Sequence, residues 1–306
     1  MFSAITSPSF PNAALGIDKN SISAVALQGS RRNLGIKQAA TVALADGVLE
    51  PGFLDTNIVA PHEFASALRE VVEIAGLLNQ KKWSISLPSN TARAAILALD
   101  SEPASNNERD EILDWKAEQS FGAPAAHLRI AMEKISPDKD GRVRYFATAV
   151  KLAVIDEYET HFESMGWKAG LIVPRAMGEA NWLMGGESGL DSLLISSNND
   201  GFTALLLQGS EPAVVRSVTC TANEIDDEVY RLVMFYNDRY GSAGTLDSVM
   251  VVGGEFAPER VRSIASEALG RDVRVLSSED VGLSIPGGVL DFNDLASPAG
   301  LAALSF

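Results

Sequence analysis

Two distant stretches of this chain follow one local plan. Residues 15–27, LGIDKNSISAVAL, run as an apolar strand ending on Asp18, turn through polar residues and return as a second strand. Residues 192–207, SLLISSNNDGFTALLL, do the same through the turn SNNDG. Short apolar runs bounded by turn residues are the signature of paired strands. One such unit opening each of two regions is a sign of internal duplication, and it constrains the chain towards two related lobes. Hairpins are common enough that the echo alone leaves a chance likeness open.

The elements between and after these units alternate. Strands are predicted at 22–28, 83–87, 129–135, 143–150, 192–196, 203–207 and 248–252. Helical spacing appears over 61–79 (Phe64, Leu68, Val71), at Tyr158, Phe162 and Met165 before Gly166, and from Ile225 to Tyr236, ending near Gly241. A further helix opens at Pro258, a favoured first-turn residue, and stops at Gly270. Strands alternating with helices along the whole length make an α/β protein. The small residues GGESG at 185–189 are the best candidate hinge.

With 40 acidic against 25 basic residues, the formal net charge is −15. Such a chain repels nucleic-acid backbones and anionic lipid surfaces. Its short basic clusters, Arg31-Arg32 and Lys81-Lys82, are too small to reverse that. The N-terminus lacks the pattern of a signal peptide, and no apolar run is long enough to span a bilayer, so neither nucleic-acid binding nor direct membrane insertion is expected. A single cysteine, Cys220, precludes an internal disulfide, and His62, His127 and His161 are too scattered to suggest a metal site.

Seven segments in order resemble the actin-like ATPase superfamily, and within it the PilM-like type IV pilus assembly proteins, with FtsA and the cytoplasmic part of GspL as relatives in plan. They are LGIDKNSISAVAL, WSISLPSN, ERDEILDWKAEQSFGAP, RYFATAVKLAVIDEYETHFESMGWKAGLIVPRAM, SLLISSNNDGFTALLLQGSEPAVVRSV, VVGGEFAPERVRSIASEALGRDVRVL and SPAGLAAL. The resemblance implies an α/β, actin-like (ribonuclease H-like) two-lobed fold with an inserted α+β subdomain in the first lobe. Residues 1–58 and 150–184 would form the first lobe, 59–149 the inserted subdomain, 185–296 the second lobe and 297–306 a closing helix.

In this superfamily the two hairpins clamp a triphosphate. Turn glycines let backbone amides reach the phosphates, and an aspartate beside each turn organises Mg²⁺ through water. The matching positions here are Asp18, Asn20 and Ser21 in the first hairpin, Ser196 and Asn198 in the second, and Gly253 and Gly254 in the adenosine-side turn. Asn20 replaces a glycine, and the cation due a few residues on falls at Ala24 or Val25. Ser196 and Asn198 stand in place of Asp–x–Gly, and Glu255 and Phe256 follow the glycine pair. A carboxylate at 255 would repel phosphate, and a phenyl ring at 256 would fill nucleoside space. Asn20 and Asn198 could keep the turn shapes by adopting positive φ.

Without a ligand, Asp18 is a turn cap, Gly253-Gly254 is a strand-to-helix turn, and Asp226-Asp227-Glu228 complements a helix N-terminus. The resulting expectation is a cytoplasmic pseudo-ATPase scaffold of a type IV pilus machine, peripheral at the inner membrane. It would have no catalytic residues, metal or resident cofactor, with ATP and magnesium as ligands if the vestigial site still binds. Its partner would be the cytoplasmic tail of a PilN-like inner-membrane protein, held in a groove built from residues 59–150. An acidic groove rim would favour a tail carrying Arg or Lys. The alternatives are an ATP-binding PilM-like switch and a GspL-like or FtsA-like component of another envelope machine.

Overall fold

A computed structural model describes residues 10–306 apart from 31–32, 102, 185–189, 199, 241–245 and 288–289. The first echo unit is an antiparallel meander. β1 (Ala13–Ile17), buried along its whole length, pairs with β2 (Ser21–Ser30), and β2 pairs with β3 (Asn33–Ala43). The Asp18 amide closes the first turn by donating to the Ser21 carbonyl at 2.9 Å. Helix α1 (Pro61–Ile74) begins on its proline and buries Phe64, Leu68, Val71 and Val72, so the chain re-enters the same sheet as β4 (Lys82–Leu87), parallel to β1.

The chain then leaves this sheet. β5 (Arg93–Ala98), β6 (Leu128–Ile135) and β7 (Arg144–Lys151) form a separate three-stranded antiparallel sheet in the order β5-β7-β6. Helix α2 (Asn106–Phe121) covers it. Ser105 caps that helix by accepting from the Glu108 amide at 3.1 Å, and Gly122 ends it at φ 68°. Helix α3 (Leu152–Ser164) returns the chain to β8 (Lys168–Pro174), parallel to β4, and helix α4 (Arg175–Met184) follows directly.

The second half repeats the plan without the excursion. β9 (Asp191–Asn198), β10 (Gly201–Gln208) and β11 (Glu211–Thr219) form a meander, then come α5 (Ile225–Tyr240), β12 (Leu246–Val252), α6 (Pro258–Leu269) and β13 (Arg274–Val275). The first sheet reads β3-β2-β1-β4-β8 and the second β11-β10-β9-β12-β13, with the same parallel and antiparallel pairs at corresponding places. β14 (Leu283–Ser284) crosses back to extend the first sheet beyond β3, and α7 (Phe292–Ala303) closes the chain.

Three elements fall across the expected boundaries. Helix α1 and strand β4 lie within 59–149, yet they pack with the first sheet, as α5 and β12 do with the second; the excursion begins only after β4. The closing helix starts at Phe292 instead of 297, because Asp291 caps it by accepting from the Asn293 amide at 3.0 Å. The strand at Leu283–Ser284, expected in the second lobe, belongs to the first sheet. The hinge at 185–189 and the stop at Gly241 fall outside the described residues.

Helices α4 and α7 fill the layer between the two large sheets. Their apolar residues share one core with Ala14, Val25 and Leu27 of the first sheet and Leu194, Leu205 and Met250 of the second. The helices cross closely because each contributes a glycine. A Cβ on Gly178 would lie 2.6 Å from the Ser297 carbonyl oxygen, and one on Gly300 would run into the Gly178 carbonyl. Asn181 Nδ2 and Trp182 Nε1 seal the crossing by donating to the carbonyls of Gly300 (2.8 Å) and Ala296 (2.7 Å). Trp167 packs against Trp83 in the first core at 5.7 Å, whereas Trp115 on α2 is exposed. Overpacking a fixed crossing costs about 1–3 kcal/mol or more. Gly300→Ala should therefore lower the midpoint of urea unfolding clearly, and Gly287→Ala, with open space around it, should not.

Candidate functional site

The duplication brings several chain segments to one cleft between the large sheets. It is lined by Asp18, Lys19, Asn20 and Ser21 from the β1–β2 turn, Ser197 and Asn198 from the end of β9, and Gly253, Gly254 and Glu255 after β12. Arg175 enters from the start of α4, and Asn293 and Asp294 from the start of α7. The cavity holds about 160 Å³ and adjoins a second of about 250 Å³ that also touches Asp18, Lys19 and Asn198. Pockets that hold small molecules usually run to about 300–1,000 Å³.

The centre of the cleft is occupied by the chain's own cation. Arg175, 8% exposed, donates from Nη1 to Asp18 Oδ2, from Nε to Glu179 Oε1 at 2.7 Å and from Nη2 to the Asn293 carbonyl at 3.2 Å. Burial by itself would lower the Arg175 pKa, but the carboxylates of Glu179, Asp18 and Glu255 outweigh it and hold the guanidinium charged. Glu179 is fully buried beneath it. Asp18 uses its other oxygen to cap the turn, accepting from the Lys19 amide at 2.8 Å.

The remaining polar groups close in on one another in the same way. Asn293 Oδ1 accepts from the Gly253 amide at 2.9 Å, so one amide of the glycine pair is taken from within. Ser197 Oγ lies 3.1 Å from the Val252 carbonyl and 2.6 Å from Glu255 Oε2. In the second hairpin the Asp200 amide donates to Asn198 Oδ1 at 2.9 Å, and Asp200 Oδ2 accepts from Asn90 Nδ2 at 2.7 Å. Lys19 reaches away to Glu50 at 3.1 Å. The Asp294 carboxyl has its pKa raised, by burial first and then by the charges of Asp291 and Asp18, with Arg175 opposing.

Three carboxylates, Asp18, Glu255 and Asp294, thus face two cations, Arg175 and Lys19, both already paired. A nucleotide with Mg²⁺ needs free amides for its phosphates and a free carboxylate to organise the metal's waters. The residues here do not fit that group: the Lys19 and Gly253 amides and the Asp18 carboxylate all have partners within the protein.

Of the residues singled out from the sequence, Asp18, Asn20, Ser21, Asn198, Gly253 and Gly254 all line this cleft. Ser196 does not. It is fully buried on the strand face that also carries Leu194, while its neighbour Ser197, on the other face, meets Glu255 at the cleft. Neither Asn20 nor Asn198 has positive φ. Among the described residues only glycines do, including Gly201 at 142° and Gly253 at 105°. Phe256 packs edge-on against Phe202 in the second-lobe core, leaving Glu255 alone to face the cleft. Arg175, Glu179, Asn293, Asp294 and Asp200 went unrecognised. The available signals were an Arg–Glu pair four residues apart in RAMGE and the acidic start of DFND.

Removing one partner of a buried ion pair leaves the other charge uncompensated and costs about 3–5 kcal/mol. Arg175→Ala should lose stability on that scale in urea unfolding, whereas the paired change Arg175→Met with Glu179→Gln should lose much less. Equal losses would mean that the ion pair does not hold the cleft.

No protein-family model matches this sequence, and no curated protein matches it. Solved structures do. A chain of a "PilM-PilN type IV pilus biogenesis complex" superposes with a TM-score of 0.69 at 15% identity, over 97% of this chain and 98% of that one. The cytoplasmic domain of EpsL, an inner-membrane component of the type II secretion system of Vibrio cholerae, superposes at 0.51 with 10% identity, over 96% and 94%. The duplicated sheets, the three-stranded excursion and the end-to-end match agree: this chain has the PilM-like, actin-like fold that its seven segments resemble.

Proposed function

We propose that the protein is a PilM-like scaffold of a type IV pilus machine that holds the extended cytoplasmic tail of a PilN-like inner-membrane protein. The observation carrying this reading is a groove between two sheet edges. β8 closes the six-stranded sheet on one side and β6 closes the three-stranded sheet, so each has a strand neighbour on one flank only. Both line a single groove of about 260 Å³ whose floor is largely apolar, with Ala131, Val150, Ile155, Leu171 and Ile172 among its residues. Sheet edges offer unpaired N–H and C=O groups, which is how an added peptide strand gains affinity, while side-chain pockets set its register. PilM, whose fold the chain shares, was solved as a complex with PilN.

The groove's charge is less one-sided than an acidic rim. Arg129 pairs with Glu159 at 2.5 Å and lies 3.6 Å from Asp156, leaving one carboxylate in excess for a basic residue of the tail. The same reading makes the interlobe cleft a pseudo-nucleotide site, supported by its paired Asp18, its occupied amides and its excess of carboxylates. With no helix among the described residues long and apolar enough to cross a membrane, attachment to the inner membrane would come through the partner. A type II secretion role is the second reading, since EpsL has a related fold.

The test is binding of a synthetic PilN-like cytoplasmic tail, followed by calorimetry. Ala131 is exposed on the groove wall, so Ala131→Arg should weaken binding about tenfold or more without unfolding the protein. Unchanged affinity in that variant, or no binding by the parent, would discard the groove. For the cleft, Mg²⁺–ATP at a hundredfold excess over its Kd would add about 2.7 kcal/mol of stability. The expected result at millimolar nucleotide is no measurable rise in Tm, and a rise of 2 °C or more, as such binding gives in domains of about 150–250 residues, would restore the ATP-switch reading.

A further inference from the structure

A further cavity, of about 440 Å³, lies where the three-stranded sheet meets the second lobe, away from both the cleft and the groove. β5 and the β6–β7 loop form one wall, and β11 and α5 the other. Its charge is the reverse of the protein's. Lys139, Arg142, Arg144 and Arg239 line it against a single acid, Asp138, in a chain with 40 acidic and 25 basic residues. Arg142 is neutralised by Asp138 at 2.8 Å and approaches Asp140 at 3.4 Å. Arg144 donates from Nε to the Ser136 carbonyl at 2.9 Å, with the Glu211 carboxylate in its electrostatic reach. Arg239 lies over the half-exposed ring of Phe235, 5.9 Å from its centre.

Arg142 and Arg144 are answered by Asp138, Asp140 and Glu211, so an incoming anion would fall to Lys139 and Arg239. The apolar floor of Ile96, Ala98 and Val215, with the Phe235 ring, offers nothing to a bare inorganic ion. The size lies within the range of small-molecule sites, about 300–1,000 Å³, and such sites combine apolar walls with a few convergent polar groups. Lys139 and Arg239 would take the anion and the Phe235 face would take a ring, with Arg239 able to do both.

We propose that this cavity binds a small organic anion of the aryl phosphate class, a planar ring carrying a phosphate, with Lys139 and Arg239 on the phosphate and Phe235 against the ring. Such a ligand would bridge the three-stranded sheet to the second lobe. The joint already carries one link, the Ser136 amide donating to Glu211 Oε2 at 2.9 Å. This site is independent of the peptide groove.

The experiment is calorimetric titration of the full chain with phenyl phosphate, AMP and inorganic phosphate at low and high salt. Phenyl phosphate should bind saturably and more weakly at high salt, AMP, whose phosphate sits on a ribose and not on its ring, no tighter than phenyl phosphate, and inorganic phosphate about tenfold more weakly than phenyl phosphate, for want of a ring. Lys139→Ala with Arg239→Ala should weaken phenyl phosphate and AMP about tenfold or more, with the unfolding midpoint of the free protein little changed. No saturable binding of any probe, binding of inorganic phosphate as tight as phenyl phosphate, or unaltered affinity in the double variant would each overturn the assignment. An AMP affinity lost in that variant but unmatched by phenyl phosphate would overturn the aryl phosphate class.

Discussion

The close crossing of α4 and α7 is the contact on which the rest of the molecule depends. Two sheets of the same topology must pack across a shared layer, and this layer is two helices set glycine against carbonyl at Gly178 and Gly300. The crossing fixes where both helices begin. Arg175 therefore enters the cleft from one side, and Asn293 and Asp294 from the other. A bulkier residue at either glycine would move these helix starts together with the core, so packing and cleft geometry are one constraint.

Within the cleft, the polar groups are paired with partners from the chain itself. A buried carboxylate beside an empty phosphate loop would carry an uncompensated desolvation cost. Here Arg175 supplies the positive charge, bracketed by Asp18 and Glu179, and the Asn293 side chain takes an amide of the glycine turn. The hairpin shapes survive because a turn needs only a cap and suitable φ values, and Asp18 and Gly201 supply these in the two hairpins. The hairpin architecture therefore rests on contacts made within the chain.

The three-stranded excursion creates two further concave surfaces. One of its flanks, at β6, faces β8 across an apolar groove; the opposite flank, at β5, meets β11 and α5 around a basic cavity. Both surfaces lie at joints between sheets. Whatever binds at either one couples units that the chain links otherwise by few segments, and the chemistry of each follows from the flank exposed. A free edge suits an extended peptide, whereas clustered guanidinium and ammonium groups suit an anion.

The sequence by itself determined most of the elements and pointed to the duplication. Strand and helix periodicity, Pro258, Gly166, Gly270 and the two hairpin motifs act locally, through backbone sterics and the burial of one face, so they are legible without a fold. It also placed six residues on a cleft that the structure assembles, because each sits at the turn of a recognisable unit. Ser196, by contrast, is fully buried and does not line that cleft, which its strand position alone could not show. Only the tertiary structure decided that Arg175, some 157 residues from Asp18 along the chain, would be its partner. It likewise brought Lys139 and Arg239 to one cavity, and β6 and β8 to one groove. Those pairings depend on how separate sheets are held together, and no local pattern encodes the distance between two surfaces that meet only in three dimensions.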